Sequence, residues 1–273
     1  MPETPDTDSA SETTETDRAD ESTETDRAVE STEQTAATDD DTGGGAVEST
    51  EQTAATDDDT GGGAVEPQPI TPGTPESFGQ VQVWWGDGKG KTTAAIGMGL
   101  RAAGHGYRVH LLQFMKGGAS SVEDVRGEYN AIAAVPGFTY ENSGHYGWHG
   151  SLDATAETDH EARAAAGVER ARELLDATAA ADATTPFDLD APAEEGVHVL
   201  ILDEILYAAN RELIDPDTVV EFVTEKPAAL ELVVTGGHEE PTYVTDEADL
   251  VSEVRKQRHH FDDGVPARKG TEY

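Results

Sequence analysis

The chain has 273 residues, 56 acidic against 18 basic side chains for a formal charge of −38, and no cysteine. Disulfides, thiolate metal sites and sulfur nucleophiles are thereby excluded, and so large an acidic excess argues against nucleic acid or an anionic membrane surface as a partner. No apolar run approaches the roughly 18–20 residues that span a bilayer, and Met1-Pro2-Glu3-Thr4 lacks the basic and apolar regions of a secretory signal, so a soluble cytoplasmic protein is expected.

Residues 1–77 hold 22 of the acids and only two arginines. Within them, residues 28–45 recur unchanged at 46–63, and Ala64-Val65-Glu66 opens a third copy. Each copy has one valine and no aromatic residue, too little apolar surface to offset the entropy of ordering the chain. Residues 1–77 are therefore expected to be a disordered, solvating acidic tail, with the Pro-rich passage from Pro67 to Pro75 as its linker to a folded domain. The remainder has 34 acids against 16 bases, near −18. Few lysines with this excess suggest a halophilic protein, in which counterions screen self-repulsion.

From about Phe78 to Tyr273 apolar runs alternate with helical stretches, the pattern of one α/β domain with a parallel sheet flanked by helices. Val81 to Trp85 reads as its first strand. It leads into Gly86-Asp87-Gly88-Lys89-Gly90-Lys91-Thr92-Thr93 and then an Ala- and Gly-rich helical stretch. Strand, glycine-rich turn, lysine and hydroxyl, then helix is an arrangement that cradles a polyphosphate. Glycines let successive N–H groups face one anion, the helix N-terminus adds positive partial charge, Lys91 supplies a cation, and Thr92 is placed to reach Mg²⁺. The loop is a variant: the residue five before Gly90 is Trp85, so the first glycine arrives one position late.

Farther along, Tyr107 to Met115 reads as a strand, Glu157 to Ala181 as a long helix and Phe187 to Gly196 as an acidic surface loop. Val197 to Leu202 and Leu230 to Thr235 are near-continuous apolar runs expected as buried strands. Asp215-Pro216 reads as a helix start, with Asp215 the N-cap and Pro216 the first helical residue. The strand ending at Leu202 is followed by Asp203-Glu204, carboxylates placed to hold Mg²⁺ beside the phosphate loop, with Glu204 and Thr92 nearest the ion and Asp203 close by. His145 and His149 lie four apart, but the intervening Gly147 and the lack of a third ligand argue against zinc. His259 and His260 are candidate pocket residues or ordinary surface histidines. Phe138 and Tyr140, two apart after Pro136-Gly137, share one face of an extended segment and are either core or a site feature.

Taken together, these residues resemble the phosphate-loop ATP:corrinoid adenosyltransferases across nearly all of residues 80–273. The resemblance rests on Gly86 to Thr93, Arg101-Ala102-Ala103-Gly104-His105-Gly106, Gln113-Phe114-Met115-Lys116-Gly117 and Gly137-Phe138-Thr139-Tyr140. It continues through Leu202-Asp203-Glu204, Val234-Thr235-Gly236, Ala248-Asp249, Ser252-Glu253, Phe261-Asp262 and Gly264. It implies a P-loop ATPase core of the recombinase type, usually a homodimer, that uses ATP with Mg²⁺ or Mn²⁺. The implied acceptor is a reduced corrinoid, cobalamin or cobyrinic acid a,c-diamide, kept reduced by a flavoprotein or other electron donor.

The implied reaction is attack of cobalt(I) on the ribose 5′ carbon with triphosphate as leaving group, and ATP lying reversed in the loop. Residues 86–93, Arg101 and His105 are the implied nucleotide contacts, Lys91 the leaving-group cation. Phe138 and Tyr140 match an aromatic pair that wedges the axial ligand away from cobalt(II), the second member being more commonly tryptophan. After Thr235-Gly236 relatives often carry arginine where this chain has Gly237-His238, and His238 or Arg101 is the candidate replacement. Two other readings of the loop remain at the level of residues: an ATPase or phosphotransferase with ATP in the usual orientation, and a nucleotide-binding regulatory module.

Overall fold

Three five-residue runs, Val109–Gln113, Val199–Asp203 and Glu231–Thr235, are buried along their whole length and form the centre of a six-stranded parallel sheet. The computed structural model describes residues 66–116, 127–144, 157–266 and 268–271, all within a unit that runs from Ala64 to Tyr273. The tandem repeat, His145 and His149 lie outside the described residues.

In chain order the elements are β1 (Val81–Trp85), α1 (Lys91–Gly104), β2 (Val109–Gln113), α2 (Gly127–Ala133), β3 (Phe138–Asn142) and α3 (Glu157–Ala180). They continue with β4 (Val199–Asp203), α4 (Ile205–Asn210), α5 (Pro216–Glu225), β5 (Glu231–Thr235), α6 (Thr242–Thr245) and β6 (Leu250–Glu253). The sheet order is β3-β2-β4-β5-β1-β6, every pairing parallel. The central strands read as unbroken apolar runs because helices cover both of their faces.

Alternate side chains along each strand feed two cores. Val109, Leu111, Val199, Ile201 and Val233 pack with Ala95, Ala102 and Ala103 of α1 and Ile132 of α2. Leu112, Leu200, Leu202, Leu232 and Val234 pack with Leu174 of α3, Leu206 of α4 and Phe222 of α5. Each such fully buried aliphatic side chain contributes about 1.5–3 kcal/mol. α5 starts as its residues direct: the Asp215 carboxylate accepts from the Asp217 N–H at 3.0 Å, with Pro216 at the first helical position.

Two stretches differ from the sequence expectation. The acidic segment after Phe187 docks on the sheet's N-terminal edge: Phe187 is buried, stacked on His198 at 4.2 Å with the Arg108 guanidinium over its ring. One aromatic anchor outweighs the polar composition around it. The expected linker also makes specific contacts, since the Gly73 N–H donates to the Gly106 carbonyl at 3.0 Å. Gly106 has φ of +77°, and a side chain there would collide with the Thr71 carbonyl. The strand β6 has no apolar run to announce it. It is an exposed edge whose pairing to β1 begins where Asp249 accepts from the Val81 N–H at 2.8 Å.

Candidate active site

The β1–α1 connection, residues 86–90, rises at the carboxyl edge of the sheet, where open α/β sheets bind ligands. Gly86 has φ of +117°, and a Cβ there would lie 2.4 Å from the Val254 carbonyl oxygen, so only glycine fits between β1 and the chain leaving β6. The Gly86 N–H donates to Gly237 and the Gly88 N–H to Val254, at 3.1 and 2.7 Å. Asp87 accepts from the Lys256 N–H at 2.8 Å, a bond that holds its carboxyl below the usual range. Gly90, with φ of +122°, is the N-cap of α1 and brings no capping side chain. The first N–H groups of a helix have no intrahelical acceptor, and together with the helix dipole they favour an anion there.

Lys91 lies over this loop. Its ammonium donates to the carbonyls of Gly86 (2.6 Å) and Gly88 (3.1 Å), and burial lowers its pKa. Residues 88–93 line an open cleft of about 430 Å³ together with Ile96, Lys116, Gly127, Glu128 and Glu204, and Gly270 and Thr271 complete its wall. Lys89 reaches across that wall to the Thr271 carbonyl at 2.9 Å.

Under the loop sits Asp203, with no solvent exposure. Its Oδ1 accepts from the hydroxyls of Thr92 (2.9 Å) and Thr235 (2.7 Å), and its Oδ2 from Gln113 Nε2 (2.9 Å) and Lys116 Nζ (2.8 Å). Burial by itself raises this carboxyl, but the Lys116 ammonium and the donated hydrogen bonds outweigh it and hold it below the ordinary value. Glu204 goes the other way, raised first by burial and then by the neighbouring Asp203 charge. The two adjacent carboxyls are thus divided into a fixed anion beneath Thr92 and a more readily protonated acid facing the cleft. Glu204 adopts a left-handed conformation (φ 62°) as the N-cap of α4, and its N–H donates to the Thr235 hydroxyl at 3.1 Å. Such a conformation in a non-glycine residue is uncommon and clusters at functional sites.

Thr92, Asp203 and Glu204 are therefore brought together as the sequence spacing anticipates. Among the described residues no three His, Asp or Glu side chains converge. The donor set is hard oxygen, a hydroxyl and carboxylates beside a phosphate-binding loop, which suits Mg²⁺ held by one or two carboxylates plus substrate phosphates.

Arg101 and His105 are not brought to the loop. They lie ten and fourteen residues along α1 from Lys91, roughly 15–20 Å at the helical rise, and border a separate, mainly apolar cavity of about 200 Å³ with Phe78 and Tyr107. His238 is the nearer candidate for the missing arginine, since Gly86 bonds to the adjacent Gly237 and the His238 ring lies 5.6 Å from that of Tyr207. His259 and His260 stack on each other at 4.6 Å in a short turn, where His259 Nδ1 accepts from the Phe261 N–H; neither borders the cleft.

Phe138 and Tyr140 do share one face of β3, toward α1. Phe138 is 3% exposed and presses on Gly99, where a Cβ would meet its ring at 2.7 Å. Tyr140 is half-buried and stacks on Tyr129 of α2, centroids 4.5 Å apart and planes within 5°. Neither lines the cleft directly. The Tyr129 hydroxyl donates to Gln113 Oε1 at 2.7 Å, so a continuous chain of contacts runs from Tyr140 through Tyr129 and Gln113 to Asp203.

Gln113, Lys116 and Thr235 had no individual role in the sequence reading. Their signal was positional, polar residues at or just past the ends of β2 and β5. It becomes interpretable once the sheet order sets those strands on either side of β4.

A family model described as ATP:corrinoid adenosyltransferase BtuR/CobO/CobP matches residues 77–273, which include the whole cleft. The chain is similar to a corrinoid adenosyltransferase of Pseudomonas aeruginosa, 32% identical over 71% of this chain and 84% of that one. One from Escherichia coli K12 is 30% identical over 71% and 86%, and the corrinoid adenosyltransferase CobA of Salmonella typhimurium 30% identical over 72% and 87%. The loop at residues 86–93, the paired carboxyls behind it and this match over the entire sheet lead to one assignment: the chain belongs to the ATP:corrinoid adenosyltransferase family.

Proposed function

We propose that the protein transfers the 5′-deoxyadenosyl group of ATP to the cobalt of a reduced corrinoid and releases triphosphate, a step of adenosylcobalamin synthesis or salvage. The observation that carries this reading is the family match over residues 77–273, which spans every residue of the phosphate cleft. In the reaction the electron pair of cobalt(I) forms the cobalt–carbon bond, the bond from C5′ to the triphosphate oxygen breaks, and that oxygen leaves with its electrons. Cobalt goes formally from +1 to +3, and no protein acid or base is needed for the displacement.

The chain's own groups then work by alignment and by stabilising charge on the leaving group. The N–H groups at the start of α1 and the Lys91 ammonium face the triphosphate, and Lys89 is the second cation of the loop. Lys91 exchanges the carbonyls of Gly86 and Gly88 for phosphate oxygens. Thr92, Glu204 and Asp203 would hold Mg²⁺ at the cleft, with Asp203 also orienting Thr92 from below, and such an ion would add charge stabilisation on the phosphates. Asp203 remains anionic because four donors converge on it. Tyr140, backed by buried Phe138 and stacked on Tyr129, is the aromatic surface offered to the corrinoid. The working unit is a homodimer supplied by a flavoprotein or similar reductant.

The test is incubation with ATP, Mg²⁺ and chemically reduced cobalamin. A light-sensitive alkyl-cobalt spectrum together with tripolyphosphate is the expected outcome. Orthophosphate with no organocobalt product would assign the loop to hydrolysis instead.

A further inference from the structure

The Lys116 ammonium lies between two of the oxygens that the proposed reading assigns to a metal ion. Its Nζ is 2.7 Å from Thr92 Oγ1 and 2.8 Å from Asp203 Oδ2. Thr92 in turn gives its hydroxyl hydrogen to Asp203 Oδ1, so ammonium, hydroxyl and carboxylate close a small ring. The side chain is not sealed there: Lys116 keeps 20% of its surface exposed, whereas Asp203 has none, and it borders the cleft beside Glu204 and Thr92. A buried carboxylate without a counter-charge is costly, and removal of a partner typically destabilises by several kcal/mol. Lys116 supplies that counter-charge beside the hydroxyl and carboxylate that the proposed reading assigns to a divalent ion.

We infer that Lys116 is a built-in cation of the metal site, which excludes a divalent ion from Thr92 and Asp203 until the nucleotide draws the ammonium away. The inference rests on the proposed reading of the cleft as a site for ATP and Mg²⁺. An ion held by Thr92 and Asp203 would compete with the ammonium for the same oxygens, and the two positive charges would repel. The incoming triphosphate removes this conflict, because its oxygens offer Lys116 an alternative anion across the same cleft. Lys116 is thus a positioning residue: it holds Thr92 and Asp203 in register in the free protein and couples metal binding to nucleotide binding. Protein and nucleotide then load the ion together, and a free carboxylate site does not fill with whichever divalent ion is at hand.

The experiment measures Mn²⁺ alone, without nucleotide, by the loss of its free electron paramagnetic resonance signal on the full-length protein. Molar KCl is present so that the acidic tail does not dominate. Wild-type protein is expected to show no tight site. Lys116→Met is expected to gain one, binding Mn²⁺ at least about tenfold more tightly, and Asp203→Asn in the same background is expected to abolish the gain. Lys116→Arg, which keeps a cation there, should stay as weak as wild type. Circular dichroism checks folding of each variant, and if Lys116→Met unfolds, Lys116→Gln provides the same comparison with a donor to Asp203 retained. Equal Mn²⁺ affinity in wild type and the neutral variants overturns the inference, as does a tight Mn²⁺ site in wild type without nucleotide. Neither outcome involves a corrinoid, so the adenosyl-transfer reading would stand or fall separately.

Discussion

Asp203→Asn is the substitution whose consequences the structure specifies most fully. The carboxylate accepts four hydrogen bonds, two at each oxygen, with no solvent to replace them. An asparagine keeps one acceptor oxygen and turns the other into a donor. Placed at the Oδ2 position, the new NH₂ would face Lys116 Nζ, which cannot accept, and Gln113 Nε2, whose amide is fixed by Tyr129 at its other end. It therefore settles at the Oδ1 position, where hydroxyls can turn. There the hydroxyls of Thr92 and Thr235 already accept from Lys116 and from the Glu204 N–H, and they lose the acceptor for their own hydrogens. Breaking a buried charge pair costs about 3–5 kcal/mol. Lys116 retains some water and its bond to Thr92, which reduces the expected loss to about 2–4 kcal/mol. Urea unfolding of wild type and variant reads this directly as a shift in midpoint with an unchanged slope. A loss below about 0.5 kcal/mol, the range of ordinary surface changes, would refute the reasoning that Asp203 is an ionised hub.

Four further outcomes are expected. Lys91→Ala should lower turnover by about 10²–10³ or more, the scale for losing one donor to a developing oxyanion; a near-normal rate would remove the triphosphate from this loop. Phe138→Leu preserves an apolar core residue against Gly99 and should keep stability within about 1.5 kcal/mol, yet slow the reaction from cobalt(II) with a biological reductant more than the reaction from pre-reduced cobalt(I). Equal rates of loss in both assays would make the ring core alone. His110 is buried between Thr139 and Glu141, and burial lowers its pKa to about 4 from an ordinary 6.5. In that window the unfolded chain binds a proton that the folded chain does not, so stability falls as pH drops from 6.5 to 4, by up to about 3 kcal/mol for this group. His110→Gln should flatten the acid side of the stability curve, with the remaining slope due to His198, lowered likewise to about 4 by burial and by Arg108. Finally, deletion of residues 1–65 should leave turnover unchanged. Deletion through residue 77 also strips the Gly73–Gly106 bond, and should lower the melting temperature.

The buried strands were legible because their apolar runs admit no other placement, and the loop from Gly86 to Thr93 because glycine spacing and a following helix define a phosphate cradle. Asp203-Glu204 was legible as a pair, though not as a divided one. Only the convergence of Thr92, Gln113, Lys116 and Thr235 on Asp203 separates the two carboxyls, and these residues come from three different segments, α1, the end of β2 and the end of β5. Arg101 and His105 lie away from the loop. Their motif follows the phosphate loop closely in sequence, but the straight helix between carries them to the far edge of the sheet. For Phe138 the period-two pattern fixed a shared face with Tyr140, yet not what covered it, which depended on Gly99 leaving room for the ring. The strand β6 was hidden because an exposed edge strand needs no apolar alternation.

The central claim is that the loop presents the sugar carbon of ATP, with its terminal phosphate turned away. A crystal structure with ATP and Mg²⁺ bound tests it most directly. The account predicts three phosphates within reach of residues 86–92 and Lys91, with the ribose C5′ directed to the side of Tyr140. A terminal phosphate exposed there and the ribose buried behind the loop would contradict it.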